Sequence, residues 1–369
     1  MTMLTAEFDY HLPQESIAQE PTIPRDSCRL LVLHRADGRI EHRRFSDIIE
    51  YLDPIDLLVA NDTRVLPARL IGRKAGSGAA SELLLLREIS SEPDGSESVW
   101  EALVKPGRRL KPGARIECGR AQVLQEAAAM TASAPITAEI LDWLPEEVHG
   151  GRLVRLSTND AWTVSEALHA VGVIPLPPYI TRYQGDRELY QTVFSKNENS
   201  AAAPTAGLHF TPELLEKIQA KGVGFTTVEL EVGIDTFRPV DEERIEDHRI
   251  HTERYSITRA AIEAIEKTQE RRGRVIAVGT TSVRTLESAY DCDREALVAV
   301  EGASTALYIT PGYRFKVVDA LLTNFHVPRS TLLMLVSAFA NRQMVLDAYE
   351  EAVRHRYRFL SFGDAMLIL

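Results

Sequence analysis

A change in the spacing of apolar runs and turn residues part-way along the chain constrains its fold more than any other feature. Between about residues 68 and 156, short apolar runs such as SELLLLREI and SVWEALVKP are separated by turns rich in Gly, Pro, Ser and Asp. Many short strands at such regular spacing are typical of a small β-barrel. The sequence therefore predicts a barrel in the middle of the chain.

The segments on either side of this region alternate between strand and helix patterns. LLVAN (57–61) and RVIAVG (274–279) are apolar enough to be buried strands, and Thr211 and Thr258 are good caps for the helices that follow them. This alternation indicates an α/β layered domain with a mostly parallel sheet covered by helices. We therefore predict a discontinuous α/β catalytic domain, residues 1–67 and 157–369, with an inserted β-barrel domain, residues 68–156.

Composition and cysteine usage exclude several classes of protein. The chain has 369 residues, of which 44% are hydrophobic and 26% charged, as is ordinary for a globular protein. No apolar segment suits a signal peptide or a membrane span. Cys28, Cys118 and Cys292 lie far apart, which argues against a disulfide framework or a Cys-ligated metal cluster. We expect a cytoplasmic protein and, because no coiled-coil or apolar seam is evident, a monomer.

Polar loops follow several of the predicted strands. They are Asn61–Arg64, Gly279–Arg284 and Thr323–His326, and a fourth loop, containing Thr205, Gly207 and His209, precedes the helix that Thr211 caps. Open α/β sheets bind ligands beyond the carboxyl ends of their strands. A hydroxyl-rich turn that enters a helix offers free backbone N–H groups, which suit a carboxylate or a phosphate. The sequence therefore predicts a composite polar site made from these loops.

Other signals are weaker or negative. The net charge of −11 argues weakly against a nucleic-acid partner, yet ALVKPGRRLKPGARI (102–116) is basic and contains no acid. That stretch is either a docked RNA contact or a solvated hairpin surface, and charge alone favours the surface. There is no dinucleotide, P-loop or nucleophile-elbow motif. His248 and His251 lack the HExxH pattern, so a pocket wall or a surface helix is favoured over a zinc site.

Long motifs along the whole chain resemble one known family. They are FDYHLPQES (8–16), RDSCRLLVL (25–33), LLVANDTRVLPARL (57–70), AAPTAGLHFTPELL (202–215), VGTTSVRTLES (278–288) and PGYRFKVVDALLTNFHVPRS (311–330). In this order they resemble the S-adenosylmethionine:tRNA ribosyltransferase-isomerase family of queuosine biosynthesis. The resemblance implies an α/β domain plus a β-barrel domain, in agreement with the patterns above.

The resemblance also implies a reaction. The family transfers and isomerises the ribosyl group of S-adenosylmethionine onto 7-aminomethyl-7-deazaguanine at the tRNA wobble position. The products are epoxyqueuosine-tRNA, adenine and methionine. S-adenosylmethionine is a substrate here, so we expect no cofactor, and we expect no metal.

The chemistry needs proton transfers. The sulfonium acidifies the 5′ carbon, so a modest general base is able to take its proton, and an acid at an adenine nitrogen would aid adenine's departure. His209 and His326 are the candidates for proton transfer, since imidazole titrates near neutral pH. Asp62 is a candidate base or acceptor for a ribose hydroxyl.

Further residues are candidates for binding. Those expected at the small substrate are Thr205, Gly207, Thr280, Thr281, Ser282, Arg284, Asn324 and Tyr313. Four of them are expected to hold the methionine carboxylate, for which an arginine is a bidentate partner: Thr280, Thr281, Ser282 and Arg284. Those expected at tRNA are Arg25, Arg64, Lys105, Arg108, Arg109 and Lys111.

Three departures from the family pattern leave alternatives open. Asn199 to Ala201 replace a Gly and a β-branched residue, Asp235 replaces a Gly, and Thr310 replaces a Tyr. A paralogous S-adenosylmethionine-dependent transferase with another acceptor is one alternative. A tRNA-binding protein without catalysis, suggested by the basic stretch, is the other.

Overall fold

The computed structural model describes residues 3–119, 136–144, 150–158, 162–233 and 239–369. Residues 120–135 of the region predicted to form the barrel, and the departure at Asp235, lie outside these residues. The chain packs as two compact units. One, the α/β unit, comprises Met1–Arg64, Pro177–Asn197 and Ala202–Leu369, and the other, the barrel unit, comprises Val65–Leu176 and Glu198–Ala201.

The strands and helices alternate much as the sequence predicts. The strands are β1 (Arg29–Leu33), β2 (Ile40–Arg44), β3 (Leu57–Asn61), β4 (Thr63–Val65), β5 (Arg69–Lys74), β6 (Ala80–Ser91), β7 (Glu97–Lys105), β8 (Arg115–Cys118), β9 (Ile136–Trp143), β10 (Gly151–Thr158), β11 (Asn197–Ser200), β12 (Gly224–Leu230), β13 (Glu253–Ile257), β14 (Val275–Val278), β15 (Tyr290–Asp291), β16 (Ala296–Leu297), β17 (Val300–Thr305), β18 (Ala320–Asn324) and β19 (Ala365–Ile368). The α-helices are α1 (Val164–Val171), α2 (Pro212–Ala220), α3 (Arg259–Glu270), α4 (Thr280–Ala289), α5 (Thr331–Ala340) and α6 (Arg342–Arg354). Within the described part of the chain, every helix is too short or too polar to cross a membrane.

The α/β unit is built on a nine-stranded sheet in the order β17-β13-β12-β3-β14-β18-β19-β1-β2. The central strands β12, β3, β14 and β18 are mutually parallel, which confirms the predicted α/β class. Towards the edges the pairing becomes mostly antiparallel, as between β1 and β2. The reversal at residues 34–39 is too short for the helical crossover that parallel neighbours require.

Both faces of this sheet are buried. Alternate strand residues such as Leu31 and Val59 pack with α3, α4, α5 and α6, whereas Leu30 and Leu58 pack on the opposite face with α2. Because successive side chains of a strand point to opposite faces, two covered faces require the continuous apolar runs seen in the sequence. The polar loops are thereby confined to the ends of the strands.

The barrel unit contains the predicted closed barrel, with strand order β10-β7-β6-β5-β8-β9. Inward residues such as Leu70, Ala102 and Val154 form its core. Helix α1 adds Ala167 and Leu168 to the same core, which explains why this unit extends beyond residue 156. The sequence-based boundaries at residues 68 and 156 stay a prediction.

Candidate active site

A cleft lies where β14 and β18 end in the α/β unit. Its walls come from the loops Gly279–Thr281, Thr323–Val327 and Ala203–Ala206, with Tyr179 and Ser361 opposite. Three of the four loops that the sequence singled out therefore meet in one place, as expected for the carboxyl ends of parallel strands. The remaining predicted loop, Asn61–Arg64, does not contribute to the cleft lining.

The first turn of α4 forms one wall of the cleft. Gly279 precedes the helix with φ of +91°, a conformation that favours glycine. Thr280 and Thr281 line the cleft, and the Thr281 Oγ1 is buried with no hydrogen-bond partner among the described residues. Ser282 instead donates from Oγ to the Val278 carbonyl at 2.8 Å and is fully buried. Of the three hydroxyl residues of this turn that were predicted to bind the substrate, Thr280 and Thr281 line the cleft and Ser282 does not.

A chain of hydrogen bonds fixes Asn324 in the opposite wall. The Thr205 hydroxyl donates to Asn324 Oδ1 at 2.9 Å, and Asn324 Nδ2 lies 3.3 Å from the Leu360 carbonyl and 3.0 Å from His209 Nε2. A carbonyl can only accept, so the Asn324 amide orientation is determined and His209 Nε2 must be an acceptor. His209 Nδ1 therefore carries the proton and lies 3.1 Å from Cys28 Sγ.

His209 does not line the cleft. Its side chain is fully buried, 5.1 Å from the Phe45 ring between centroids. Burial, reinforced by the nearby charge of Arg25, lowers the pKa of His209 well below its ordinary value. Burial also raises the pKa of the Cys28 thiol to about 12, so the thiol keeps its proton. His209 thus acts on the cleft only through Asn324.

His326 is the histidine that lines the cleft. Its Nε2 lies 2.9 Å from the Thr323 hydroxyl, and its backbone N–H donates to the Tyr349 hydroxyl at 3.1 Å. Burial lowers the pKa of His326 to about 3. The imidazole is therefore neutral at neutral pH, so it is able to accept a proton but does not arrive as an acid.

Arg284 is already paired within the protein. Its Nη1 forms an ion pair with Glu253, and its Nε donates to the Leu307 carbonyl at 3.3 Å. Burial alone would raise the pKa of Glu253, but the hydrogen bond from His251 and the charge of Arg284 hold that pKa below its usual value. The guanidinium faces a small cavity beside His251 and Tyr308 and does not line the main cleft. Arg284 was predicted to bind the carboxylate of methionine, but it binds the carboxylate of Glu253 instead.

Three other predicted site residues lie elsewhere in the α/β unit. Asp62 is nearly buried, with Oδ2 3.2 Å from Lys196 Nζ. A Cβ at Gly207 would lie 2.7 Å from the Phe194 ring, so this glycine allows close packing. The Tyr313 hydroxyl donates to a buried glutamate carboxylate at 3.2 Å. None of the three lines the cleft.

The candidates for tRNA contact fall into two groups. Arg25 is buried and donates from Nε to the Leu208 carbonyl at 3.0 Å, so it forms part of the protein interior. Arg64 is half-buried and pairs with Glu188 at 2.5 Å. Lys105, Arg108, Arg109 and Lys111 are exposed on the barrel unit, and no acid of the described residues pairs with them.

The sequence analysis did not identify two polar residues of the cleft, Tyr179 and Ser361. The hydroxyls of Tyr179 and Ser361 lie 2.7 Å apart in the cleft wall, and burial raises the pKa of Tyr179. Neither residue follows a predicted strand, so the strand-end argument could not find them. The sequence could have pointed to them only through the motifs that contain them, IPLPPYI (174–180) and FLSFGDA (359–365), which are as unusual as those that carry the family resemblance.

Within the described residues, one group of three side chains has the composition of a metal site. His42, Glu351 and His355 meet at the outer edge of the sheet, with Glu351 Oε1 2.8 Å from His355 Nε2 and 3.4 Å from His42 Nε2. The other Glu351 oxygen pairs with Arg354 at 2.5 Å, so these contacts form a surface ion-pair network. None of them lines the cleft.

Comparison with known proteins identifies the family. The model of the queuosine biosynthesis protein family matches residues 5–368. The chain is 48% identical over 366 residues to a protein of Acetivibrio thermocellus, covering 99% of this chain and 100% of that one. It is 47% identical over 367 residues to a protein of Halothermothrix orenii, covering 100% of both chains. Both relatives are named S-adenosylmethionine:tRNA ribosyltransferase-isomerase.

A solved structure agrees with this match. The crystal structure of S-adenosylmethionine tRNA ribosyltransferase from Thermotoga maritima aligns with 98% of this chain and 100% of its own chain. The two chains are 40% identical in sequence, and their structures superpose with a TM-score of 0.52. The family predicted from the motifs is therefore confirmed, and this chain belongs to the queuosine biosynthesis protein family.

Proposed function

We propose that this protein transfers and isomerises the ribosyl group of S-adenosylmethionine onto 7-aminomethyl-7-deazaguanine at the wobble position of tRNA. The products are epoxyqueuosine-tRNA, adenine and methionine. The observation that carries the proposal is the cleft, where the family motifs around Thr205, Thr281 and Asn324 meet. Its walls hold buried polar groups with fixed orientations, which suit a small polar substrate.

The first turn of α4 is the proposed site for the methionine carboxylate. Helix N-termini present free N–H groups and a positive dipole end to anions. The buried and unpartnered Thr281 Oγ1 supplies a further donor in the same wall. Across the cleft, Thr205 and Asn324 are proposed partners of ribose hydroxyls, held in place from behind by His209.

His326 is the proposed proton acceptor. Its neutral imidazole would take the proton from the 5′ carbon, and as ribose opens and the bond between C1′ and adenine breaks, the imidazolium would return that proton to the departing adenine. The neutral amine of the acceptor base then bonds to C1′ and gives up a proton, and an alkoxide of the opened ribose attacks the 5′ carbon and breaks its bond to sulfur, which forms the epoxide and releases methionine. A pKa of about 3 makes His326 a weak base, so its contribution should lie near the low end of general-base effects. A similar role for Asp62 requires its ion pair with Lys196 to open.

We also propose a monomeric cytoplasmic enzyme that uses S-adenosylmethionine as a substrate and needs neither metal nor cofactor. Four exposed cations of the barrel unit support the choice of tRNA as the macromolecular substrate, because exposed cations suit phosphates. They are Lys105, Arg108, Arg109 and Lys111, and no acid among the described residues pairs with them.

One incubation tests the proposal. The purified protein is mixed with S-adenosylmethionine and a tRNA that carries 7-aminomethyl-7-deazaguanine at the wobble position, and the digested nucleosides are analysed by mass spectrometry. An epoxyqueuosine mass with stoichiometric adenine and methionine is expected. The matched control is the same tRNA with guanine at that position, which lacks the attacking amine. Turnover of the free base instead would indicate a paralogue, and tRNA binding without adenine release would indicate a binding protein.

A further inference from the structure

Trp143 presents its ring at the surface of the barrel unit. The side chain is 51% exposed, although Trp is usually well covered. Its cross-strand partner on β10 is Arg152, whose Cζ lies 3.5 Å from the ring centroid. The guanidinium therefore covers one face of the ring, and the exposed area belongs to the remainder. Such a cation–π contact fixes the ring in position.

Arg152 is itself locked in place. It is only 1% exposed and donates to the carbonyls of Gly107 at 2.8 Å and Leu110 at 3.0 Å. Nη1 donates further to Gly150 and Gly151, at 3.1 and 2.8 Å. The planar guanidinium thus joins the Trp143 ring to the turn at residues 105–111, here named the basic turn.

The basic turn displays positive charge to solvent. Lys105, Arg108, Arg109 and Lys111 are exposed, and no ion pair joins them to an acid in the described ranges. The chain as a whole carries a net charge of −11, whereas this turn groups four cations within seven residues that contain no acid. Exposed cations without partners are suited to phosphates, whose binding releases counterions.

We propose that Trp143 and the basic turn form a stacking platform for an unpaired nucleotide of the tRNA substrate. The base stacks on the open face of Trp143, and the phosphates beside it lie against Arg108, Arg109 and Lys111. Only an unpaired nucleotide fits, because a base within a duplex has both faces covered. Stacking accepts any base, so the platform holds the strand without reading its sequence. This inference rests on the proposed function for the identity of the RNA.

The two parts of the platform respond differently to salt. Replacing Trp143 removes stacking, which contributes roughly 1–3 kcal/mol per base, or about a 5-fold to 150-fold change in affinity. It removes no charge, so the salt dependence of binding keeps its slope. Replacing Arg108 with Ala removes a phosphate contact and should flatten the slope by about 0.7 for a single strand.

Fluorescence anisotropy with a labelled oligouridylate, repeated with the tRNA across a salt series, tests the platform. Trp143→Ala should weaken binding at every salt concentration with an unchanged slope, and Trp143→Phe should restore most of the affinity. The matched control is Trp162→Ala, since Trp162 is the other exposed tryptophan of the described barrel unit, at 42% exposure. Melting temperatures of all variants confirm that they fold.

The proposal is overturned if Trp143→Ala binds like the wild type, or if Trp162→Ala loses as much affinity. An adenine-release assay separates this failure from failure of the proposed function. If the wild type releases adenine and Trp143→Ala has an unchanged KM for tRNA, the platform alone fails. If the wild type releases no adenine but Trp143→Ala still loses oligouridylate affinity, the platform stands and the proposed function fails.

Discussion

The cleft of the α/β unit and the basic turn of the barrel unit arrange their polar groups in opposite ways. In the cleft wall, Asn324 is buried and bonded to His209, which lies buried behind it. On the basic turn, Arg108 and Arg109 are exposed and have no acidic partner among the described residues. Fixed dipoles act strongly in a water-poor site, whereas exposed charges act at longer range and are screened by salt. The first arrangement suits chemistry, and the second suits docking.

The largest effect is expected from His326→Ala, which tests whether the buried polar groups of the cleft carry out the chemistry. Loss of a positioned base typically reduces turnover by about a hundredfold or more, and we expect roughly that reduction in single-turnover adenine release. Affinity for tRNA should not change. The control is His11→Ala, which removes an exposed histidine of the same unit. A His326→Ala enzyme with turnover within a few-fold of the wild type would show that His326 moves no proton.

The buried state of His326 also predicts a pH dependence of stability. Its pKa is about 3 in the folded protein against 6.5 ordinarily, so the unfolded chain binds more protons between these values. The free energy of unfolding therefore keeps the full contribution of this residue above pH 6.5 and loses it as the pH falls towards 3. By about pH 5 the loss from this residue should be roughly 2 kcal/mol.

Urea unfolding at neutral and mildly acidic pH measures this effect. His326→Gln should unfold with a shallower pH dependence than the wild type, because glutamine does not titrate. His11→Gln, which replaces an exposed histidine of the same unit, should keep the pH dependence of the wild type. Equal pH dependences for wild type and His326→Gln would contradict the burial argument.

Charge reversal on the basic turn tests the docking side. Arg108→Glu, Arg109→Glu and Lys111→Glu together should raise the KM for tRNA roughly tenfold at physiological salt and leave S-adenosylmethionine binding unchanged. The matched control reverses three exposed cations of the α/β unit: Lys217 on α2, Lys267 on α3, and Arg271 directly after α3. If the control raises the KM for tRNA as much as the basic-turn variant, net charge and not the turn attracts tRNA.

The smallest expected effect concerns metal. The His42, Glu351 and His355 contacts form an ion-pair network on an edge strand and a helix end, and none lines the cleft. Turnover should therefore be the same after treatment with EDTA, and His42→Ala should be as active as the wild type. A loss restored by added zinc in the wild type, but not in His42→Ala, would assign a metal to this group.

The sequence predicted the cleft better than it predicted the individual residues. Thr281, Asn324 and His326 were found because each lies at or just beyond the carboxyl end of a strand of the parallel core. Asp62 satisfies the same rule, yet it pairs with Lys196 and does not line the cleft. Chain order shows that a residue follows a strand, but the direction of its side chain depends on neighbours distant in sequence.

The sequence by itself determined the α/β class, the closed barrel and the family, because strand and helix periods, turn residues and long motifs are local properties of the chain. Tertiary structure alone decided the ionisation of His209 and His326 and the pairing of Arg284 with Glu253. Desolvation and charge pairing depend on which residues surround a group in space. Packing of distant segments sets those surroundings, so they cannot be taken from residue order.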